Sequence, residues 1–442
     1  MGDFAEAYRT KMKRLVLFLF LVALFLFLGG GSAPFVKKPL TVVLDGETVF
    51  EGEIKIDAIR HNRAVKRGGY LRFYKDLRTR YGEKESLNYL SRGLGDFLSA
   101  ACERKRIDPL SATMEWTKDL SSPFIYYAER EGRDIPLDEI GRAVAAALDE
   151  KGNATVFSSS VCPEVTVSDL KKRTREMGRF TTRFYSSGEN RRHNLKLAAE
   201  AISGTVLGAG ETFSFNGTVG ERTEERGFRV ANVVVNGDFV KGVGGGVCQV
   251  STTLFNAALL AGLPIGKAAA HSCPVSYVPL SRDCTVSSAI DFTFINDTPH
   301  PVYLAAKVES GELTFALFGE KKEGAFALES EVTERVPFSS LAADGSPAPP
   351  EAELLSPGRE GIKSRLFLLR TKNGVTTKTL VRETYYPPKN ALYEKRAATA
   401  RCSGRDAPSS YSLVKEVFVH FGQGGILSFL PRQTSVPQFV QL

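Results

Sequence analysis

The chain lacks the features that mark several protein classes. No Lys/Arg block is long enough to track a phosphate backbone, although Lys and Arg number 58 against 50 Asp and Glu. The formal net charge of +8 is therefore a mild excess spread along the chain, whereas nucleic-acid binders usually concentrate it. No CxxC or HExxH spacing occurs, and the five histidines (61, 193, 271, 300 and 420) are scattered, so no metal site is expected. The glycine run Gly242–Gly246 lacks the Lys-Ser/Thr that reaches phosphate and magnesium in a phosphate loop, and no cofactor is expected. No solenoid-type repeat is present. Six cysteines in 442 residues are too few for a disulfide scaffold. Hydrophobic residues at 43% and charged residues at 24% exclude collagen-like, disordered and polytopic membrane chains. What remains is a globular chain with material for about three folded units.

The amino end sets the expected compartment. Arg9, Lys11, Lys13 and Arg14 precede an unbroken apolar run from Leu15 to Leu28, followed by Gly29-Gly30-Gly31-Ser32-Ala33-Pro34. A basic flank ahead of an apolar run stays cytoplasmic and sends the downstream chain across the membrane. Counted to Ala33, the run is long enough for a bilayer core of about 30 Å. Pro34 disfavours cleavage after the small residues, which favours a single-pass anchor over a cleaved signal peptide. Either reading exports residues 35–442, where disulfides can persist.

Beyond the anchor the pattern is α+β. Residues 35–60 alternate like strands around Asp45-Gly46. Ser86 to Arg106 carries a helical face of Leu87, Leu90, Leu94, Phe97 and Leu98. Two short strands are expected within 111–128, an amphipathic helix from Asp134 to Asp149, and a strand near Thr155–Ser160. A helix over 193–203 turns Leu195, Ala198, Ala199 and Ile202 inward. Strands follow at 210–216 and at Val230 to Val240, the latter turning at Asn236-Gly237. Residues 336–361, rich in Pro, Ala, Ser and Gly, read as a linker. Residues 362–395 read as a hairpin turning at Asn373-Gly374. The expected segments are an anchor over 1–34, an α+β region over 35–173, a main domain over 174–335, the linker, and a β-rich extension with an irregular tail over 362–442.

The chemically suggestive segment surrounds Cys248. Glycines at 242, 244, 245 and 246 free the backbone and allow close approach. Leu254, Ala257, Ala258 and Ala261 then recur as a buried helix face that ends near Gly262 and Pro264. Cys248 therefore falls at a helix amino end, where the dipole and unpaired N–H groups favour a thiolate and an oxyanion. His271, Asp283 and Asp291 come later in the chain. They supply a base and two alternatives for the group that orients it. Cysteine, histidine and aspartate in that order, on a helix start and later strands, is similar to transglutaminase-like thiol enzymes. A buried structural cysteine with an unrelated histidine is the plain alternative.

Residues 179–319 resemble the VanW family. The matching blocks are Thr181-Thr182-Arg183-Phe184 with Arg192-His193-Asn194, Gly210 to Asn216, and Glu225-Arg226-Gly227-Phe228. Gly244 to Leu254, His271 to Pro279, Asp283-x-Thr285-Val286 and Asp291 to Asn296 complete the set. Residues 105–173 are similar to the small peptidoglycan-binding module that often precedes such domains, and 362–395 resembles the β segment that trails them. The family pattern has an apolar residue at Cys273 and alanine at Cys284, and this departure predicts a Cys273–Cys284 disulfide stapling the His271 loop to the Asp283 loop. Cys102–Cys162 is a second expected pair, and Cys248 and Cys402 are left unassigned. The resemblance implies a membrane-anchored protein acting at the cell wall. Its expected partners are peptidoglycan or another anionic wall polymer, and the membrane through its N-terminal helix. Two functions stand as alternatives: a Cys248-dependent acyl transferase or amide hydrolase, or a non-catalytic wall-binding scaffold.

Overall fold

The computed structural model describes residues 34–394 except 151, 236 and 237. The expected anchor up to Ala33, the Asn236-Gly237 turn, Cys402 and the tail lie outside the described residues. Among the described residues, no helix is long and apolar enough to cross a membrane. The chain divides into two compact units. One takes residues up to Met114 together with Tyr126–Val167, and the other takes Glu115–Ile125 and the chain from Ser168 onward.

In the first unit, Phe35–Leu44 and Glu47–Asp57 pair antiparallel around Asp45 and Gly46, whose φ values are 50° and 78°. That left-handed pair is what an Asp-Gly hairpin turn demands. Strand Asn153–Val156 joins parallel to the first strand. Two-residue alternation buries Leu40, Val42 and Leu44 in a core shared with helices Tyr70–Leu90, Leu94–Lys105 and Leu137–Asp149. The single helix expected from Ser86 is in fact two. The first is the last part of Tyr70–Leu90, which is itself broken at Gly82 (φ 75°), and the chain breaks again at Ser91–Gly93, with Gly93 at φ 80°. The carboxylate of Asp149 accepts from the N–H groups of Tyr70 and Leu71 (2.8 and 3.1 Å). This cap comes from a residue remote in sequence, so the early start leaves no local N-cap signal.

The second unit is built on a four-stranded antiparallel sheet in the order Arg175–Arg183, Glu312–Gly319, Val302–Glu309, Val206–Leu207. Helix Val247–Leu260 lies across Arg175–Arg183 and Glu312–Gly319, and helix Glu189–Ile202 packs on Val302–Glu309. Trp116 and Phe124 pack tilted and edge-on against Tyr303 and Phe318 of this sheet, which ties the short segment Glu115–Ile125 to the unit. After Gly319, strands Ala325–Val336, Gly361–Lys372 and Val375–Tyr386 form a second sheet, turning at Asn373 and Gly374 (φ 51° and 78°). The Pro-rich stretch between its first two strands carries Ser340–Ala342 and Glu353–Ser356, which pair with Ala391–Glu394. These partners are distant in the chain, so composition alone does not reveal them.

Backbone approach fixes the Cys248 helix on its sheet. A Cβ at Gly178 would lie 2.4 Å from the Ala261 nitrogen and 2.6 Å from the Ala257 oxygen. Strand and helix can meet at that spacing only without a side chain. Gly178→Ala is therefore expected to destabilise the second unit by about 1–3 kcal/mol through overpacking, read as a lower urea midpoint of its unfolding.

Candidate active site

The hairpin Val230–Val235 and Asp238–Val243 delivers the chain into Gly244-Gly245-Gly246. Gly244 and Gly246 have φ values of 83° and 110°, which most side chains would oppose. Gly246 is the N-cap of the helix and offers no side-chain cap, so Cys248 stands in an uncapped first turn. The helix dipole there favours negative charge. The expected one-sided apolar face understates the burial. Val247 and Gln249 through Leu259 are all buried, including five polar residues. Those polar side chains are bonded, as burial requires. Gln249 donates to Thr182 Oγ1 and Arg183 O, Ser251 donates to Cys284 O at 2.6 Å, and Asn256 donates to Arg282 O at 2.7 Å. The Thr252 hydroxyl accepts from the Cys284 N–H at 2.8 Å. Segment 282–284 is thus laid along the polar side of the helix.

Ala269 and Thr285 form an antiparallel bridge, with the Thr285 N–H donating to Ala269 O at 2.8 Å. Counting two residues outward on each side makes His271 and Asp283 face one another. Asp283 Oδ2 accepts from the His271 backbone N–H at 2.6 Å and contacts ring Nδ1 at 2.7 Å. Both residues are buried, with Asp283 only 1% exposed. A carboxylate accepting from Nδ1–H leaves the other ring nitrogen for the thiol. Cys248 is half-buried, its sulfur 3.6 Å from Thr285 Oγ1 and 3.5 Å from Val286 O.

Burial pushes the Cys248 thiol up, but the hydrogen bond and charge of His271 reverse this and bring it down to about 7. Burial pushes His271 down, and Asp283 and Cys248 together raise it to about 9. For Asp283, burial again opposes ionisation, and its bonds to His271 and Tyr386 hold it below the ordinary carboxylate range. Both shifts act in one direction, favouring a thiolate beside an imidazolium. Cys248 and His271 open onto a cavity of about 690 Å³ that Arg183, Arg191, Arg222 and Glu221 also line. Arg191 is bonded to Gln249 Oε1 at 2.9 Å. Arg222 keeps one guanidinium nitrogen, Nη2, buried and without a hydrogen-bond partner.

The structure thus brings together Cys248, His271 and Asp283, and it places Asp291 in another network. Asp291 accepts from Ser214 Oγ (2.6 Å) and Asn216 N (2.8 Å), tying strand Thr212–Ser214 to the adjoining short helix Phe215–Val219. The expected disulfides are corrected as well: Cys102, Cys162, Cys248, Cys273 and Cys284 are free thiols. Side chains alternate along an extended segment, so Asp283 faces His271 while Cys284 turns into the apolar core and Cys273 borders the cavity. The bonds from Ser251, Thr252 and Asn256 hold the Asp283 segment where a disulfide was expected to. Cys102 lies in the core of the first unit, while Cys162 is exposed. Sequence reasoning missed Arg222, Arg382 and Tyr386, because none sits in a pattern that announces a site.

Residues 190–318 match the family described as "VanW like protein". Over 146 residues the chain is 44% identical to "Uncharacterized protein YoaR" of Bacillus subtilis, spanning 33% of this chain and 48% of that protein. It is 31% identical over 140 residues to "Vancomycin B-type resistance protein VanW" of Enterococcus faecalis, spanning 30% of this chain and 51% of that one. The chain therefore spans about half the length of the curated relatives it matches. A solved structure titled "Crystal structure of HP0197-G5" overlaps 16% of this chain and 96% of its own at 22% identity, with a TM-score of 0.12, too low to establish a common fold.

The electrostatics of the pair can be read directly. Alkylation of Cys248 by iodoacetamide is expected to be half-maximal near pH 7, below the ordinary thiol value of about 8.5. His271→Gln removes the imidazolium, so the midpoint should rise to the ordinary value or above it. A wild-type midpoint of about 8.5 would contradict the ion pair.

Proposed function

We propose that the VanW-like domain is a thiol acyl-transfer or amide-hydrolysis centre working on cell-wall peptides outside the cytoplasm. The observation that carries this reading is the buried His271–Asp283 pair beside Cys248 at the uncapped start of a helix, on the wall of an open cavity. The Cys248 thiolate would attack a substrate carbonyl carbon, forming the C–S bond and a tetrahedral oxyanion. The amino end of the helix faces the developing negative charge. His271, as imidazolium, would then give its proton to the departing amine, the C–N bond would break, and a thioester would remain on Cys248. Water or a second amine would attack that thioester, with His271 taking a proton from the incoming nucleophile, and the C–S bond would break to return the Cys248 thiolate. Asp283 would keep the ring oriented through both halves.

The basic lining of the cavity suits a substrate that carries a carboxylate. Wall peptides have this chemistry, and the modest positive charge of the chain suits an anionic envelope. The basic-then-apolar amino end supports anchoring at the membrane, with the first unit on the outer side as a wall-contacting module. These partners and this location rest on sequence pattern and family likeness together.

The deciding experiment treats purified cell wall with wild-type protein and with Cys248→Ala, then profiles the peptide fragments. The wild type should release or cross-join peptides, and Cys248→Ala should lose at least about a hundredfold of that rate. Equal profiles, with wall binding retained by both proteins, would replace this reading with a non-catalytic scaffold.

A further inference from the structure

We propose that Arg382 and Tyr386, on strand Val375–Tyr386, are positioning residues for the Cys248–His271–Asp283 set, so that the sheet beyond the VanW-like match completes the site. The proposal rests on the reading of Cys248 as a reactive thiolate and adds to it the part of the chain that holds the site in register.

The two oxygens of Asp283 are divided between two sources of donors. Oδ2 serves His271, through its backbone N–H and its ring. Oδ1 accepts from the Tyr386 hydroxyl at 2.5 Å and from Arg382 Nη2 at 3.3 Å. Fixing Oδ1 from the sheet side leaves one rotamer in which Oδ2 meets the imidazole. The same two residues grip the backbone just upstream. The Tyr386 hydroxyl accepts from the Ser281 N–H at 3.0 Å, and Arg382 Nε donates to Ser281 O at 2.9 Å. Ser281 has a φ of 61°, a left-handed conformation that a serine adopts at some cost. A third tie to this sheet, Ser281 Oγ to Ser364 Oγ at 2.6 Å, holds it there. Arg382 also bonds the Asp283 carbonyl oxygen and lies 5.2 Å from the ring of Phe255 on the Cys248 helix. One guanidinium therefore touches both the helix that carries the nucleophile and the segment that carries the carboxylate.

The electrostatic consequence has a definite sign. The groups facing Asp283 are His271, Arg382 and Tyr386, and those facing Cys248 are His271, Arg222 and Tyr277. Tyr277 and Tyr386 stay protonated because burial pushes each phenol up. Removing the Arg382 cation leaves the Asp283 charge less balanced, and the more negative surroundings disfavour a second anion at Cys248. Removing the Tyr386 hydroxyl withdraws a donor dipole and acts in the same direction, more weakly.

The test is iodoacetamide alkylation of Cys248 against pH in the full chain, with the thermal midpoint of each variant measured alongside. Arg382→Gln should move the alkylation midpoint up by about half a pH unit or more, and Tyr386→Phe by a smaller amount. Arg382→Lys keeps the charge and should restore most of the wild-type value. A low wild-type midpoint that neither Arg382→Gln nor Tyr386→Phe moves would overturn the positioning role while leaving the thiolate reading intact. Lower thermal stability without a midpoint shift would overturn it equally, since that is what mere scaffolding does. A wild-type midpoint near that of an ordinary thiol would overturn both. If Arg382→Gln fails to unfold cooperatively, Tyr386→Phe, which removes one oxygen atom, decides the matter.

Discussion

The arrangement depends on keeping one buried carboxylate, that of Asp283, ionised and pointed in one direction. An isolated carboxylate in apolar surroundings would take up a proton rather than remain charged. Asp283 avoids this because each of its oxygens has donors: His271 on one side, Tyr386 and Arg382 on the other. Breaking such a buried network by removing one partner typically costs about 3–5 kcal/mol, so folding and site geometry are secured by the same bonds. The imidazole is held by the carboxylate, and the thiol responds to the imidazole. The chain of cause runs from a strand near the end of the described residues to a sulfur at a helix start.

The Cys248 helix contributes more than its dipole. An amphipathic helix buries one stripe and leaves its polar side to water. This one is buried all round, and its polar side chains replace water with the backbone of residues 282–284. That substitution sets the distance between the nucleophile and the Asp283 segment without a covalent link. The Ala269–Thr285 bridge then sets which residues face each other. The result is a site whose cysteine stands on a helix, while His271 and Asp283 lie on irregular segments that this bridge, the helix and strand Val375–Tyr386 hold in place.

Local sequence signals were good guides wherever the physics is local. Asp45-Gly46 and Asn373-Gly374 turn where dipeptides that tolerate positive φ should turn. Gly246 and Cys248 fall at the start of their helix, as the glycine run and the apolar spacing suggested. The same signals failed where a distant partner decides. Helix Tyr70–Leu90 starts where Asp149 caps it, and the expected Cys273–Cys284 bridge is displaced by side-chain alternation and by hydrogen bonds from the helix. Asp283 and Asp291 are equivalent by spacing and distinct in space. One faces His271 across a β-bridge, and the other accepts from Ser214 and Asn216.

By itself, the sequence determined the α+β character of the chain, the helix that begins at Cys248, and a short set of histidine and aspartate residues able to serve it. Those outcomes come from backbone preference and hydrophobic period, which act over a few residues. Only the tertiary structure decided which aspartate meets the histidine and which cysteines stay free. It alone brought Arg382 and Tyr386, about a hundred residues further along, to the same carboxylate. The physical reason is that hydrogen bonds and charge act through space over a few ångströms, and linear spacing does not report which groups burial will force together.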